Sequence, residues 1–163
     1  DDALAMSSRI VLLQRGRLLQ CASPTEMLEA PATECVARYF GRPAINLVPA
    51  ILEKDGQAIL LGNQTISLRG RIDEVFCRDI TVGVRPAHVR LDTAGVGWRG
   101  RVASIEPHAD AALVEVEVEG IRLRALIGAG AGARPRAGDA VGVRILPKHF
   151  IVFDDHGVHL AQV

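Results

Sequence analysis

The side chains best suited to bind a metal or move a proton are five histidines and three cysteines in a chain of 163 residues. Asp154-Asp155-His156-Gly157-Val158-His159 gathers several potential metal ligands. Its two histidines are three apart and could share a helical face, but Gly157 and the apolar strand pattern around the run spoil that geometry. The run reads as an exposed turn. Cys21, Cys35 and Cys77 are far apart, and an odd number without a CxxC pair gives neither a disulfide framework nor a zinc signature. They read as free thiols in a reducing compartment. Gly128, Gly130 and Gly132 alternate with alanine after a strand, as a phosphate-cradling loop might begin. The Lys-Ser/Thr ending is absent, and Pro135 and Gly138 stand where a helix should start, so a hairpin loop is the better reading. His108 and Asp110, beside Pro107, read as turn residues. No residue is nominated as catalytic, cofactor-binding or metal-binding.

The elements that would position any site divide near residue 45. Residues 2–8 favour helix. Arg9–Gln14 and Arg17–Ala22 are apolar strands around an Arg15-Gly16 turn, a hairpin pattern. Ser23-Pro24-Thr25-Glu26 is a helix start: Ser23 caps, Pro24 suits the first helical position and Glu26 completes a capping box. Pro31 stops that helix. A second runs from about Ala32 to Phe40, with Arg38 near its negative end and Gly41 at its C-cap.

Beyond Asn46 nearly everything is strand and turn. Candidates are Asn46–Glu53, Ala58–Leu61, Gln64–Leu68, Ile80–Val84, Gly100–Pro107, Ala112–Glu119, Arg122–Ile127, Ala140–Leu146 and Ile151–Phe153. Val114, Val116 and Val118 alternate with Glu115, Glu117 and Glu119, giving one dry face and one wet face. Short strands with frequent turns predict a small barrel or a pair of sheets.

Composition narrows the function. A formal net charge of zero argues against a nucleic-acid binder, which carries a basic surplus, and the few aromatics form no stacking face. No apolar run reaches the roughly 20 residues of a membrane helix, so no direct membrane insertion is expected.

Two stretches carry a family resemblance. Asp2–Pro49 contains Arg9-Ile10-Val11, Gly16-Arg17, Ser23-Pro24, Pro31-Ala32, Cys35-Val36-Ala37, Phe40-Gly41 and Asn46-Leu47-Val48-Pro49. In that order and spacing they resemble the end of the nucleotide-binding domain of ABC importer ATPases. Gly83–Leu91 (GVRPAHVRL) is similar to the G-hydrophobic-R-P-E-H signature of the transport-associated OB-type (TOBE) domain that follows it, with Ala87 in place of the usual Glu. Later pieces agree: Glu106-Pro107, Pro135-Arg136-Ala137-Gly138-Asp139, Pro147-Lys148-His149 and Phe153-Asp154. The segment Phe40–Pro49 resembles importers of sugars and sugar phosphates more than those of iron or polyamines.

The resemblance implies a mainly β fold, an OB-like small barrel over 46–163, behind an α/β remnant of the nucleotide-binding domain over 1–45. It implies a regulatory and dimerisation role in the ATP-binding subunit of an importer, partnered by transmembrane permeases at the inner face of the cell membrane. This chain lacks the phosphate loop, the signature loop and the magnesium-positioning acid, so it is expected to be no enzyme by itself and to hold no cofactor. ATP and magnesium would belong to a longer protein. The candidate site residues are Gly83, Arg85, Pro86 and His88. They either contact the ATPase or a dimer mate, or shape a local turn through hydrogen bonds to backbone carbonyls. The hairpin, deprived of the core it would pack on, is expected to promote a homodimer, with or without exchange of the N-terminal arms. The alternative reading is a stand-alone sensor of an oxyanion or small metabolite.

Overall fold

A computed structural model describes residues 8–72, 78–108, 110–128 and 135–162, with the side chains of 161 and 162 excepted. The expectations for residues 2–8, for Cys77 and for the glycines at 130 and 132 lie outside the described residues.

The N-terminal segment forms as the sequence predicts. Strands β1 (Ile10–Gln14) and β2 (Arg17–Ala22) pair antiparallel, with a register shift between Leu12 and Leu13. Helix α1 (Pro24–Glu29) opens with the full capping box: Ser23 Oγ accepts from the Glu26 amide, and the Glu26 carboxylate accepts from the Ser23 amide. Helix α2 (Glu34–Tyr39) is capped by Thr33, whose hydroxyl accepts from the Val36 amide. Ile10, Ala22, Met27, Val36 and Phe40 close over one another as a small core of their own.

The remainder is two open antiparallel sheets. One has the order β13-β12-β6-β3-β4-β5, from His159–Gln162, Ile151–Phe153, Asp79–Val84, Asn46–Leu52, Ala58–Leu61 and Gln64–Ser67. The other has the order β10-β9-β8-β11-β7, from Ile121–Gly128, Ala111–Val118, Trp98–His108, Ala140–Ile145 and Val89–Asp92. Their inner faces share a single core, to which Val48, Val82, Val84, Val116, Leu123, Val143 and Phe150 all belong. The alternation in β9 holds: Val114, Val116 and Val118 are buried while Glu117 and Glu119 are exposed. Glu115, on the same outer face, pairs with Arg122 across the strand at 3.6 Å.

The fold is mainly β, as expected, but the sheets do not close into a barrel. At the corner where β3 approaches β10, a side chain stands in for a backbone ladder. The Asn46 amide donates to the carbonyls of Val84 and Arg124 at 3.0 and 2.9 Å, and its oxygen accepts from the Arg124 amide at 2.8 Å. A buried amide survives because its hydrogen bonds are satisfied, and here two of the three join the two sheets while the third stays within one. Two strands also escaped the sequence reading, Val89–Asp92 and His159–Gln162.

The N-terminal segment rests on the six-stranded sheet. The Glu34 amide donates to the Gly157 carbonyl, the His159 amide to the Ala32 carbonyl, and Thr33 bridges Val158. Ala37 joins Ile45, Ile151 and Phe153 in a third small cluster across the junction.

Candidate functional site around Arg85

Strand β6 ends at Val84, and Arg85-Pro86-Ala87-His88 follows at once. Pro86 removes an amide that no ladder could use, and its fixed φ opens a single 3₁₀ turn over Pro86–His88. The His88 amide closes that turn on the Arg85 carbonyl at 2.9 Å. Gly83 is buried in β6, and a Cβ there would stand 2.9 Å from Ile45 Cδ1 and 3.1 Å from the Phe153 ring. No larger residue fits without displacing that packing.

The turn aims the Arg85 guanidinium across the junction. Nη1 donates to the carbonyls of Phe40 and Ala37 at 2.6 and 3.2 Å, and Nη2 to that of Leu28 at 2.9 Å. These carbonyls lie at the ends of α1 and α2, where backbone oxygens lack helical partners and carry the negative end of the helix dipole. Gly41 makes room: its φ is +95°, and a Cβ there would sit 2.7 Å from Nη1. Arg85 has no carboxylate partner among the described residues, and burial lowers its pKa.

His88 meets a second histidine. Pro147–His149 forms another 3₁₀ turn, a Pro-x-His like Pro86-Ala87-His88, and the two imidazoles stack with centroids 3.9 Å apart and planes 23° apart. The Nδ1 of His88 is buried without a hydrogen-bond partner among the described residues. Burial lowers the pKa of His88, with further depression from His149, Arg90, Arg85 and Lys148. His149 is lowered too, first by burial, then by Lys148 and Arg90. Both shifts favour the neutral form of the rings. A groove of about 330 Å³ runs beside them, lined among others by Leu28, Leu126, Ile151, Arg85 and His88. A larger groove of about 740 Å³ lies by Tyr39, Glu34 and His156, with Arg38, Asp155 and His156 exposed and Glu34 half-buried.

All four sequence candidates thus meet at one junction. The reading that Arg85 bonds backbone carbonyls describes its geometry, but those carbonyls lie 45–57 residues away rather than in its own turn. His88 makes no such side-chain bond at Nδ1; it stacks. His149, Gly41 and Asn46 were named in the sequence as resemblance pieces or a helix cap, not as parts of this site. The repeat of Pro-x-His in Pro86-Ala87-His88 and Pro147-Lys148-His149 was the signal that could have linked His149 to His88. In the Asp154 turn, the carboxylate accepts from the His156 and Val158 amides, which occupies it in shaping the loop. Among the described residues no three His, Cys, Asp or Glu side chains converge as metal ligands.

Comparison with known proteins fits this architecture. Residues 82–153 match the family model of the TOBE domain. Over 154 residues the chain is 26% identical to an sn-glycerol-3-phosphate import ATP-binding protein, UgpC 2, of Agrobacterium fabrum, covering 94% of this chain and 41% of that protein. The corresponding UgpC proteins of Chromobacterium violaceum and Vibrio cholerae are 32% and 30% identical, over 64% and 74% of this chain and 29% and 32% of theirs. The chain therefore spans well under half the length of these relatives. A solved structure of the cytoplasmic molybdate-binding protein ModG, with molybdate bound, superposes with a TM-score of 0.52 at 19% identity, covering 66% of this chain and 94% of that one. The class is thus a small two-sheet β domain with the TOBE signature. The chain carries a TOBE domain and is homologous to the C-terminal part of ABC importer ATP-binding proteins. No helix among the described residues is long and apolar enough to cross a membrane.

Proposed function

We propose that this chain is the regulatory end of the ATP-binding subunit of an ABC importer for sugars or sugar phosphates. In that reading residues 1–45 end the nucleotide-binding domain and 46–163 form the regulatory domain. ATP and magnesium bind upstream of this chain, in a protein that is an ATPase as a whole. The subunit works as a homodimer beneath transmembrane permeases, on the inner face of the membrane. The regulatory domain tunes transport by favouring one arrangement of the ATPase halves over another.

The observation that carries the reading is the Arg85 clamp. A guanidinium from the TOBE signature holds the ends of both helices of the preceding segment. Any rotation of that segment must break or carry those bonds, so the domain is mechanically informed of it. One alignment of 154 residues to the Agrobacterium protein runs through both parts, which supports their working as a unit. The hairpin contributes to the dimer reading, since Val11, Leu13 and Leu18 are exposed on it.

The test is Arg85→Lys in the full-length subunit reconstituted with its permease. Lysine keeps the charge but cannot fork across three carbonyls. ATP hydrolysis should persist while cargo uptake per ATP falls. Unchanged uptake per ATP would overturn the reading.

A further inference from the structure

We propose that the two Pro-x-His turns form a proton-sensitive latch, which lets the N-terminal segment lift from the sheets as pH falls while the sheets stay folded. Pro86–His88 and Pro147–His149 lie far apart in the chain, yet their imidazoles meet with centroids 3.9 Å apart and planes 23° from parallel. Each turn adjoins a hold on the segment. Arg85 stands immediately before the first and donates to the carbonyls of Leu28, Ala37 and Phe40. Ile151 stands two residues beyond the second and shares a buried cluster with Ala37. The stack therefore joins the bases of both holds.

Neutral rings can stack this closely, but charged ones repel where water is excluded. The Nδ1 of His88 is buried with no partner among the described residues. A protonated ring carries N–H at both nitrogens, so charging His88 would set a donor there with nothing to receive it. Burial opposes charge on both rings first, and the neighbouring cations add to it: Arg85 on the same turn, Arg90 on β7 and Lys148 on the facing turn for His88, Lys148 and Arg90 for His149. Strand β10 packs on the first turn and brings Arg122, paired with Glu115, and Arg124, which donates to the Ala44 carbonyl. Asp92 at the end of β7 is paired with Arg144. From the segment, Arg42 and Glu29 line the groove, and Glu29 is exposed. Among the described residues no carboxylate favours the charge on either ring.

Protons are therefore taken up once the rings part and reach water. Above the ordinary histidine value near 6.5 the open and closed forms are both neutral and the latch stays shut. As pH drops through that value the open form gains protons that the closed form refuses, so the bias to opening grows until the closed-form pKa values are passed. Parting the rings unwinds the first turn, which the His88 amide closes on the Arg85 carbonyl. That frees the backbone on which the guanidinium is aimed and loosens the ends of both helices. Val84, Val89 and Phe150 flank the turns inside the shared core, so the movement stops there.

The test needs neither ATP nor a permease and is independent of the transporter reading. Hydrogen exchange of the chain, corrected for the intrinsic pH dependence of amides, is followed from about pH 7.5 to 5.5 beside an NMR titration of the imidazoles. Opening of α1 and α2 should rise about tenfold or more over that range while β3 and β9 hold, and both imidazoles should titrate below about 6.5. The α1 cap does not fail in this window, because hydrogen bonds from Ser23 hold the Glu26 carboxyl below its usual range. His88→Phe and His149→Phe each keep an aromatic ring in the stack without its proton, and each should cut the rise to about threefold or less. Equal rises in wild type and both variants would overturn the proposal. So would α1 and α2 exchange that ignores pH in wild type, or an acceleration that β9 shares.

Discussion

The space between the two large sheets and the N-terminal hairpin-helix segment are held by different means. Among the described residues, 21 buried side chains from the two sheets and their connections form one continuous core, whereas the N-terminal segment closes over five. Stability from burial scales with apolar area, so the sheets can stand on packing and the segment cannot. The segment makes up the difference with directed polar bonds: Arg85, the Thr33 cap, and the backbone bridges to Gly157 and Val158. Such bonds break one at a time and allow local opening, which is what a movable junction needs.

The sharpest way to break the comparison is in the sheet core. Phe150 is fully buried there. Phe150→Ala should cost about 3–5 kcal/mol, read as a global shift in the urea midpoint that moves every strand together. Asn46→Leu comes next. It strands the Val84 and Arg124 carbonyls and the Arg124 amide at the sheet corner. Unpaired buried groups cost about 1–3 kcal/mol each, with water reaching the partly exposed ones, so a loss near 2–3 kcal/mol is expected. If Asn46→Leu were neutral in the same urea titration, the sheets would be joined by packing alone.

Arg85→Met should act on one region only. Its three acceptors all lie in the segment. Native-state hydrogen exchange should quicken in α1 and α2 while β6, β9 and β12 keep their protection. Uniform acceleration would mean that the two regions unfold as one. Thr33→Ala removes a single cap and should cost the α2 amides about 1 kcal/mol of local protection.

The same division explains what was legible in the sequence. Periodicity reports burial, so the strands of the shared core, β9 above all, could be read residue by residue. Capping is local chemistry, so Ser23-Pro24-Thr25-Glu26 announced its helix. The open form of the sheets was not legible, because closure depends on how edges meet. Here they meet through the Asn46 side chain, 78 residues from its partner Arg124. The site was half legible: the Arg85 and His88 turn stood out as a motif, but its acceptors are carbonyls, which every residue has and no sequence marks. His149 is similar. Its Pro-x-His turn could be noticed, but not that two such turns would face each other.

The smallest effect to be expected is on pH, and its sign follows from that facing. Folding lowers the pKa of both histidines below the ordinary value near 6.5. Above that value both imidazoles are neutral, folded or unfolded, and they cost the fold nothing. As pH falls through it, the unfolded chain takes up protons that the stacked pair refuses, so stability declines until the folded pKa values are passed. Protonation would also set a buried Nδ1–H of His88 against no acceptor and bring its charge beside Arg85, Arg90 and Lys148. The urea midpoint should therefore drop on acidification below about pH 6.5, and His149→Gln should flatten that drop by removing one titrating ring and one opposing charge. The loss should register first in the exchange of the Pro86–His88 and Pro147–His149 turns, since that is where the strain of a charged stack is relieved. A midpoint indifferent to pH in both wild type and His149→Gln would place the stack outside the energetics of the junction, leaving Arg85 as the element that couples the two regions.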